Sequence, residues 1–179
     1  MKAVLDACVL YPTVLREILI LAAEAGLYEP VWSDRILAEW RHAAARLGQG
    51  EVAGAEIALL RAARPGAAAP DDGIAAAGID WPDPADRHVA EAALASGAGL
   101  IVTANLRDFP PRATAALGLR AVHPDAFLTG LCNGAPDVVG AAVRTVHARA
   151  QVAGGPVDLR DLMRRARLPR LAKAVARAG

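Results

Sequence analysis

Apolar positions recur along the chain in two rhythms, unbroken short runs and a helical three-four spacing. Residues 2–5 (Lys-Ala-Val-Leu) read as a short buried strand that ends at Asp6. Residues 13–25 carry Leu15, Ile18, Leu19 and Ala22 at helical spacing, with Pro12 near the start and Gly26 as the stop. Residues 28–32 read as extended. Ser33 is then placed to cap a helix over 34–47, which Gly48 and Gly50 end. A further helix is expected over 51–63, followed by a loop rich in Pro, Gly and Ala from Pro65 to Gly73 and a weak strand near 74–80. Asp83-Pro84 opens a helix that runs to about Ser96, and Leu100-Ile101-Val102 reads as a buried strand. Thr103 to Pro111 is a polar loop, 112–117 a short helix and 119–122 a strand. Segments at 124–131, 136–150 and 158–177 are helical in pattern, broken by Gly154-Gly155-Pro156 and by Pro169.

Alternating strands and helices predict an α/β fold of three layers, α/β/α, with a central mainly parallel sheet. Such folds gather their sites beyond the carboxyl ends of the strands. With 179 residues the chain is long enough for a sizeable core. Aromatics are only 4% of it, so that core must be built from Ala, Leu, Val and Ile. Cys8 and Cys132 form no metal-ligand spacing, and Cys8, inside an apolar run, reads as a small buried hydrophobe. With no signal-peptide pattern and no 18-residue apolar span, a soluble cytoplasmic protein is expected. Charge divides unevenly: residues 1–143 hold 11 Lys and Arg against 17 Asp and Glu, whereas residues 144–179 hold 9 against 2. The basic C-terminal stretch suits nucleic acid or an acidic partner, or is a solvated helical face.

Four places carry candidate chemistry. Asp6 follows a buried strand, where a carboxylate is costly unless paired, bound to a metal or engaged as a local cap. Glu39 borders the apolar face marked by Ile36, Leu37 and Trp40, so it either reaches inward or pairs with Arg35 at i−4. Asp86 has a structural competitor, since Asp83 as N-cap, Pro84 as first helical residue and Asp86 as the third would make a capping arrangement. His88 and Glu91 extend that polar set. After the strand at 100–102, Thr103, Asn105 and Asp108 place a hydroxyl, an amide and a carboxylate in one loop. Carboxylates gathered at one site raise one another's pKa unless a cation is present. Mg²⁺ or Mn²⁺ prefers such oxygens and can activate a water for in-line attack on a phosphodiester.

Four segments together resemble the PIN-domain family of nucleases, including the toxin ribonucleases of bacterial toxin–antitoxin pairs. They are Val4-Leu5-Asp6-Ala7-Cys8-Val9-Leu10-Tyr11-Pro12, Trp32 to Trp40, Asp83 to His88, and Ile101 to Phe109. The likeness covers roughly residues 1–125 and leaves 126–179 as a helical, basic C-terminal extension. It implies that Asp6 is the first-strand acid, Glu39 the helix-borne acid and Asp86 the central acid. Asn105 or Asp108 would complete the set, with Thr103 able to bond a phosphate oxygen. Asp6, Glu39, Asp86 and Asp108 would hold Mg²⁺ or Mn²⁺, RNA would be hydrolysed to 5′-phosphate products, and dimerisation and an antitoxin partner would follow. Two positions depart from the pattern. Cys8 stands where many members have Asn, which predicts a missing hydrogen-bonding group near Asp6, and Asn105 stands where an acid is common.

Other readings fare worse. A dinucleotide-binding enzyme needs a glycine-rich loop after the first strand, and Ala7 to Pro12 contains no glycine. A haloacid-type phosphatase needs a second aspartate two residues after the first, and that position is Cys8. The competing reading is a domain that keeps the fold and binds RNA or a partner protein without cutting.

Overall fold

The computed structural model describes residues 1–70, 72–75 and 81–178. The chain splits into two compact units, Met1–Tyr11 with Tyr28–Val122, and Pro12–Leu27 with His123–Gly179. Residues 12–27 therefore group with the C-terminal helices, whereas the sequence reading kept them with residues 1–125.

In the first unit the expected parallel α/β fold is present. Strands β1 (Lys2–Leu5), β2 (Glu29–Val31), β3 (Leu100–Val102) and β4 (Arg120–Val122) form one sheet in the order β2-β1-β3-β4. Every pairing is parallel, with Val4 opposite Val31 on one side and Ile101 on the other. Ala3, Val4, Leu5, Ile101 and Val102 have no exposed surface, as expected of a strand covered on both faces. The chain leaves β1 for β2 on one side and then crosses to β3 on the other. The order thus reverses between β1 and β3, and their carboxyl ends border the crevice where ligands of such sheets bind.

Helices bring side chains to that crevice. Helix α1 (Ala7–Leu10) is a single turn directly after Asp6, and it is not apparent in the sequence pattern. Helix α2 (Thr13–Glu24) follows in the chain and belongs to the second unit. Helix α3 (Asp34–Ala45) starts where Ser33 predicts, with the Ser33 hydroxyl accepting from the Ile36 N–H at 3.3 Å. It packs on α1, on α4 (Gly50–Ala63) and on α5 (Arg87–Ser96), and α5 in turn packs on β1, β2 and β3. Gly97, in the left-handed region at φ 69°, closes α5.

One helix start differs from expectation. Asp83 and Pro84 do not open α5. The Asp83 carboxylate instead accepts from the Ala85 N–H at 2.9 Å, and the Asp86 N–H donates to the Asp83 carbonyl, which makes a turn. The helix begins only at Arg87, with Asp86 at the cap position and its side chain making no cap bond. The capping arrangement that competed for Asp86 is therefore not formed, and its carboxylate is free for other work. The strand expected near 74–80 falls mostly on 76–80, outside the described residues.

The second unit is helical. Helix α2 buries Leu15, Ile18, Leu19 and Ala22 and packs against α8 (Pro136–Gly154), where Glu17 meets Arg149 at 3.0 Å. Helix α7 (Pro124–Gly134) packs on α8, and α10 (Pro169–Ala178) packs on α7, α8 and α9 (Leu159–Arg165). The breaks expected at 154–156 and at Pro169 separate α8, α9 and α10. Asp125 is buried at 4% exposure and accepts from the Arg170 N–H at 3.0 Å and the Leu171 N–H at 2.9 Å. An acid from α7 thereby caps the N-terminus of α10, satisfying donors that have no partner within their own helix. No helix among the described residues is long and apolar enough to cross a membrane.

Candidate active site

Asp6 stands at the reversal point of the sheet, its N–H donating to the Val102 carbonyl at 3.1 Å as a continuation of the β1–β3 ladder. It is buried to 8% exposure, yet its side chain is well served. The Thr103 hydroxyl donates to Asp6 Oδ2 at 2.6 Å, and the Cys8 thiol donates to the same oxygen at 3.0 Å. Short bonds to an ionised acceptor are strong, and here they fix the rotation of the carboxylate. Both land on Oδ2, which leaves the lone pairs of Oδ1 for a ligand.

The expectation of a missing hydrogen-bonding group at position 8 is corrected by this geometry. A thiol can donate as well as accept, and Cys8 Sγ does both, since the Ala104 N–H donates to it at 3.2 Å. Cys8 is likewise half-buried and bonded, not a small hydrophobe in the core. Thr103 is fully buried and takes the Asn105 N–H on its Oγ1 at 3.0 Å. Asp6, Cys8, Thr103 and the backbone of the following loop thus form one network across the ends of β1 and β3.

Burial and the neighbouring charge of Asp6 push the Cys8 thiol up to about 12. A thiol held that firmly protonated is a poor nucleophile. Alkylation by iodoacetamide at pH 8 is expected to be at least tenfold slower at Cys8 in the native protein than in urea, by mass spectrometry of the modified peptide. Equal rates in the two states would mean that the thiol is not held in this network.

Asp86 is the electrostatic centre of the site. Burial raises its pKa to about 6, followed by the charges of Asp108, Asp83 and Asp6, with His88 acting in the opposite direction. Three carboxylates from the end of β1, the turn before α5 and the loop after β3 therefore feel one another at Asp86. Asp83, which the sequence reading treated only as a cap, is a fourth. Asp108 is half-buried in a 3-10 turn at Leu106–Asp108, with Arg107 Nε at 3.5 Å.

Glu39 belongs to a different set of contacts. It lies 3.8 Å from Arg35 Nε, the i−4 pair that the sequence allowed, and 3.2 Å from His88 Nε2. It does not figure among the groups that shift Asp86. His88 is buried, and its Nδ1 lies 2.7 Å from the Ala85 carbonyl. A carbonyl only accepts, so Nδ1 carries a hydrogen. Although Nε2 is close to Glu39, the pair is not aligned as a hydrogen bond, and Nε2 has no partner of that kind. Arg35 Nη2 also donates to the Ala85 carbonyl, at 3.4 Å. Glu39, Arg35 and His88 therefore converge on the peptide just before Asp86. The sequence sets His88 in the polar set beside Asp86 as a supporting or packing side chain, but does not name Glu39 or the Ala85 carbonyl as its neighbours. Asn105 contributes its backbone, while its side chain is exposed. Arg87 is exposed. Glu91 is buried at 6% exposure, its Oε1 without a hydrogen-bond partner.

The donor set suits a hard divalent cation. Asp6, Asp86 and Asp108 offer carboxylate oxygens, and their mutual repulsion at Asp86 is what a cation would relieve. Among the described residues no three His, Cys, Asp or Glu side chains converge as a ready cage. Mg²⁺ needs no such cage, because it retains several waters and binds through one or two carboxylates together with substrate phosphates.

A family model described as PIN domain matches residues 2–107. The matched stretch contains Asp6, Glu39, Asp86, Thr103 and Asn105 and stops one residue short of Asp108. No curated protein and no solved structure gives a match. The family match covers more than half of the chain and spans the parallel strands that carry Asp6 and Thr103, and the chain belongs to the PIN-domain family.

Proposed function

We propose that this protein is a metal-dependent endoribonuclease whose acid cluster hydrolyses phosphodiester bonds to leave 5′-phosphates. The observation that carries the reading is the coupling of Asp86 to Asp6 and Asp108, with Asp6 locked by Thr103 and Cys8 at the reversal point of the sheet. PIN domains are generally nucleases, which supports a hydrolase at this site. RNA is the substrate class that the likeness to toxin ribonucleases implies.

Asp6 through Oδ1, together with Asp86 and Asp108, would hold Mg²⁺ or Mn²⁺. The ion supplies charge neutralisation at the scissile phosphate and lowers the pKa of a water. The raised pKa of Asp86 in the unliganded protein marks the crowding of negative charge that the ion would relieve, and once ionised beside the ion Asp86 would orient the attacking water, whose proton would pass to solvent. Water oxygen would bond to phosphorus, the P–O3′ bond would break, and the 3′ oxygen would take a proton from solvent and leave as a hydroxyl. Thr103 and Cys8 hold Asp6 in place throughout. Glu39, Arg35 and His88 act at one remove by fixing the Ala85 peptide and so the start of α5.

The test is cleavage of a pool of structured and single-stranded RNA, with a DNA pool alongside, in Mn²⁺, in Mg²⁺ and in EDTA. Cutting of RNA that requires metal and disappears in Asp6→Asn is the expected result. A folded protein that cuts neither pool with either ion would overturn the nuclease reading and favour a domain that binds without cutting.

A further inference from the structure

The helical unit has a charged surface of its own. Arg170, Lys173 and Arg177 follow one another at three and four positions along α10, so they share one face of the helix. That face lines a cavity of about 510 Å³ whose other wall includes Thr129 and Asn133 of α7 and Pro136 of α8. Among the described residues no acidic side chain lines the cavity. All three cations are exposed, and none forms an ion pair among the described residues. By contrast Arg149 and Arg164, elsewhere in this unit, are each paired with a carboxylate. The opposite side of α10 holds the buried Leu171, so the orientation of the cationic face is set by packing. Asp125 fixes the helix from its first turn.

We propose that this groove binds the phosphate backbone of a single-stranded nucleic acid, an inference that rests on the ribonuclease reading by taking RNA as the ligand. Seven residues of helix span roughly 10 Å, comparable to the reach of about three successive phosphates along a strand. The amide of Asn133 adds a neutral hydrogen-bonding partner for phosphate or ribose, whereas the Thr129 hydroxyl donates to the Asp125 carbonyl at 2.6 Å. Among the described residues no aromatic side chain lines the groove, so bases have nothing there to stack on and binding is independent of sequence. An acidic protein partner would be expected to bring apolar contacts as well, yet beyond Pro136 the exposed apolar lining is alanine.

The experiment is fluorescence anisotropy with a labelled mixed-sequence RNA of about 15 nucleotides, titrated with the full chain in EDTA between about 50 and 200 mM salt. Absence of metal prevents cutting, so binding is read whether or not the acid cluster is a nuclease. The variant Arg170→Gln/Lys173→Gln/Arg177→Gln should bind at least tenfold more weakly at the lowest salt. Its slope of log affinity against log salt should be shallower by about 2, since each single-strand phosphate contact contributes about 0.7. Arg144→Gln/Arg160→Gln/Arg165→Gln removes the same net charge from exposed positions elsewhere in the unit and should leave most of the slope intact. Equal losses in the two variants would overturn the groove in favour of diffuse charge. Displacement of the RNA by polyglutamate of matching charge as effectively as by unlabelled RNA would overturn the nucleic-acid assignment. Metal-dependent cutting by a chain with an unchanged slope would refute the groove while sparing the nuclease reading.

Discussion

Asp86→Asn is expected to lose cleavage by about 10²–10⁴-fold while becoming more stable than the parent protein at neutral pH. Both effects have one cause. The native Asp86 carboxyl, at about 6, lies above its ordinary 3.8, so the folded state holds the proton more tightly than the unfolded chain. Between these two values the unfolded chain ionises first. Stability therefore falls as pH rises through that window, and the loss persists above it. The N-terminal dipole of α5 favours a charge at Asp86 by roughly 0.3–1 kcal/mol, which reduces the penalty without reversing the direction of the shift. Solvent screens this partly exposed carboxyl, so the cost is about 1 kcal/mol, or ~2–4 °C in a chain of this length. Asparagine has no charge to repel. Thermal melts of the two proteins should coincide near pH 4 and separate above pH 6, with the variant higher. Mg²⁺ at millimolar concentration should raise the parent and close the gap. A variant that melts lower at every pH would show that the carboxylate is a structural tie and not a strained functional group.

Asp125→Ala is expected to cost about 3–5 kcal/mol, the largest stability effect predicted in the molecule. The carboxylate accepts two backbone donors at the start of α10, one on each oxygen. Hydrogen bonds to a charged group are worth about 1.5–3 kcal/mol each, and the donors they satisfy are left without partners when it is removed. Asparagine should rescue little, because it offers one acceptor and turns an NH₂ towards the other N–H. Urea unfolding followed by circular dichroism measures the cost. Hydrogen exchange at Arg170 and Leu171 locates it. A loss below about 1 kcal/mol, or unchanged protection of those two amides, would mean that α10 is held by its apolar face alone.

Much of the fold was legible because it follows from local rules. Leu100-Ile101-Val102 could be read as a buried parallel strand, since both its faces are covered. Ser33 announced α3 through a bond that spans only three residues. Asp6 stood out for the same reason as β1, a carboxylate at the end of an apolar run. What escaped reading depends on distant partners or on small local competitions. The turn at Asp83 hangs on one side-chain bond to Ala85, and pattern alone cannot choose between it and a cap. Helix α1 has only four residues, too few for any periodicity. The bond from Thr103 to Asp6 joins positions 97 apart. Glu39 illustrates both cases at once: its pair with Arg35 was visible as an i−4 spacing, and its contact with His88 was not.

The division of the chain into two discontinuous units has a consequence for its birth on the ribosome. The stretch 12–27 leaves the ribosome well before the helices it packs with, which lie in 123–179. Until residues 123–179 follow, the buried face of α2, with Leu15 and Ile18, waits for the helix it packs against. An amphipathic segment that must wait in this way is a natural client for a chaperone, and premature termination near residue 125 would leave it permanently unmatched.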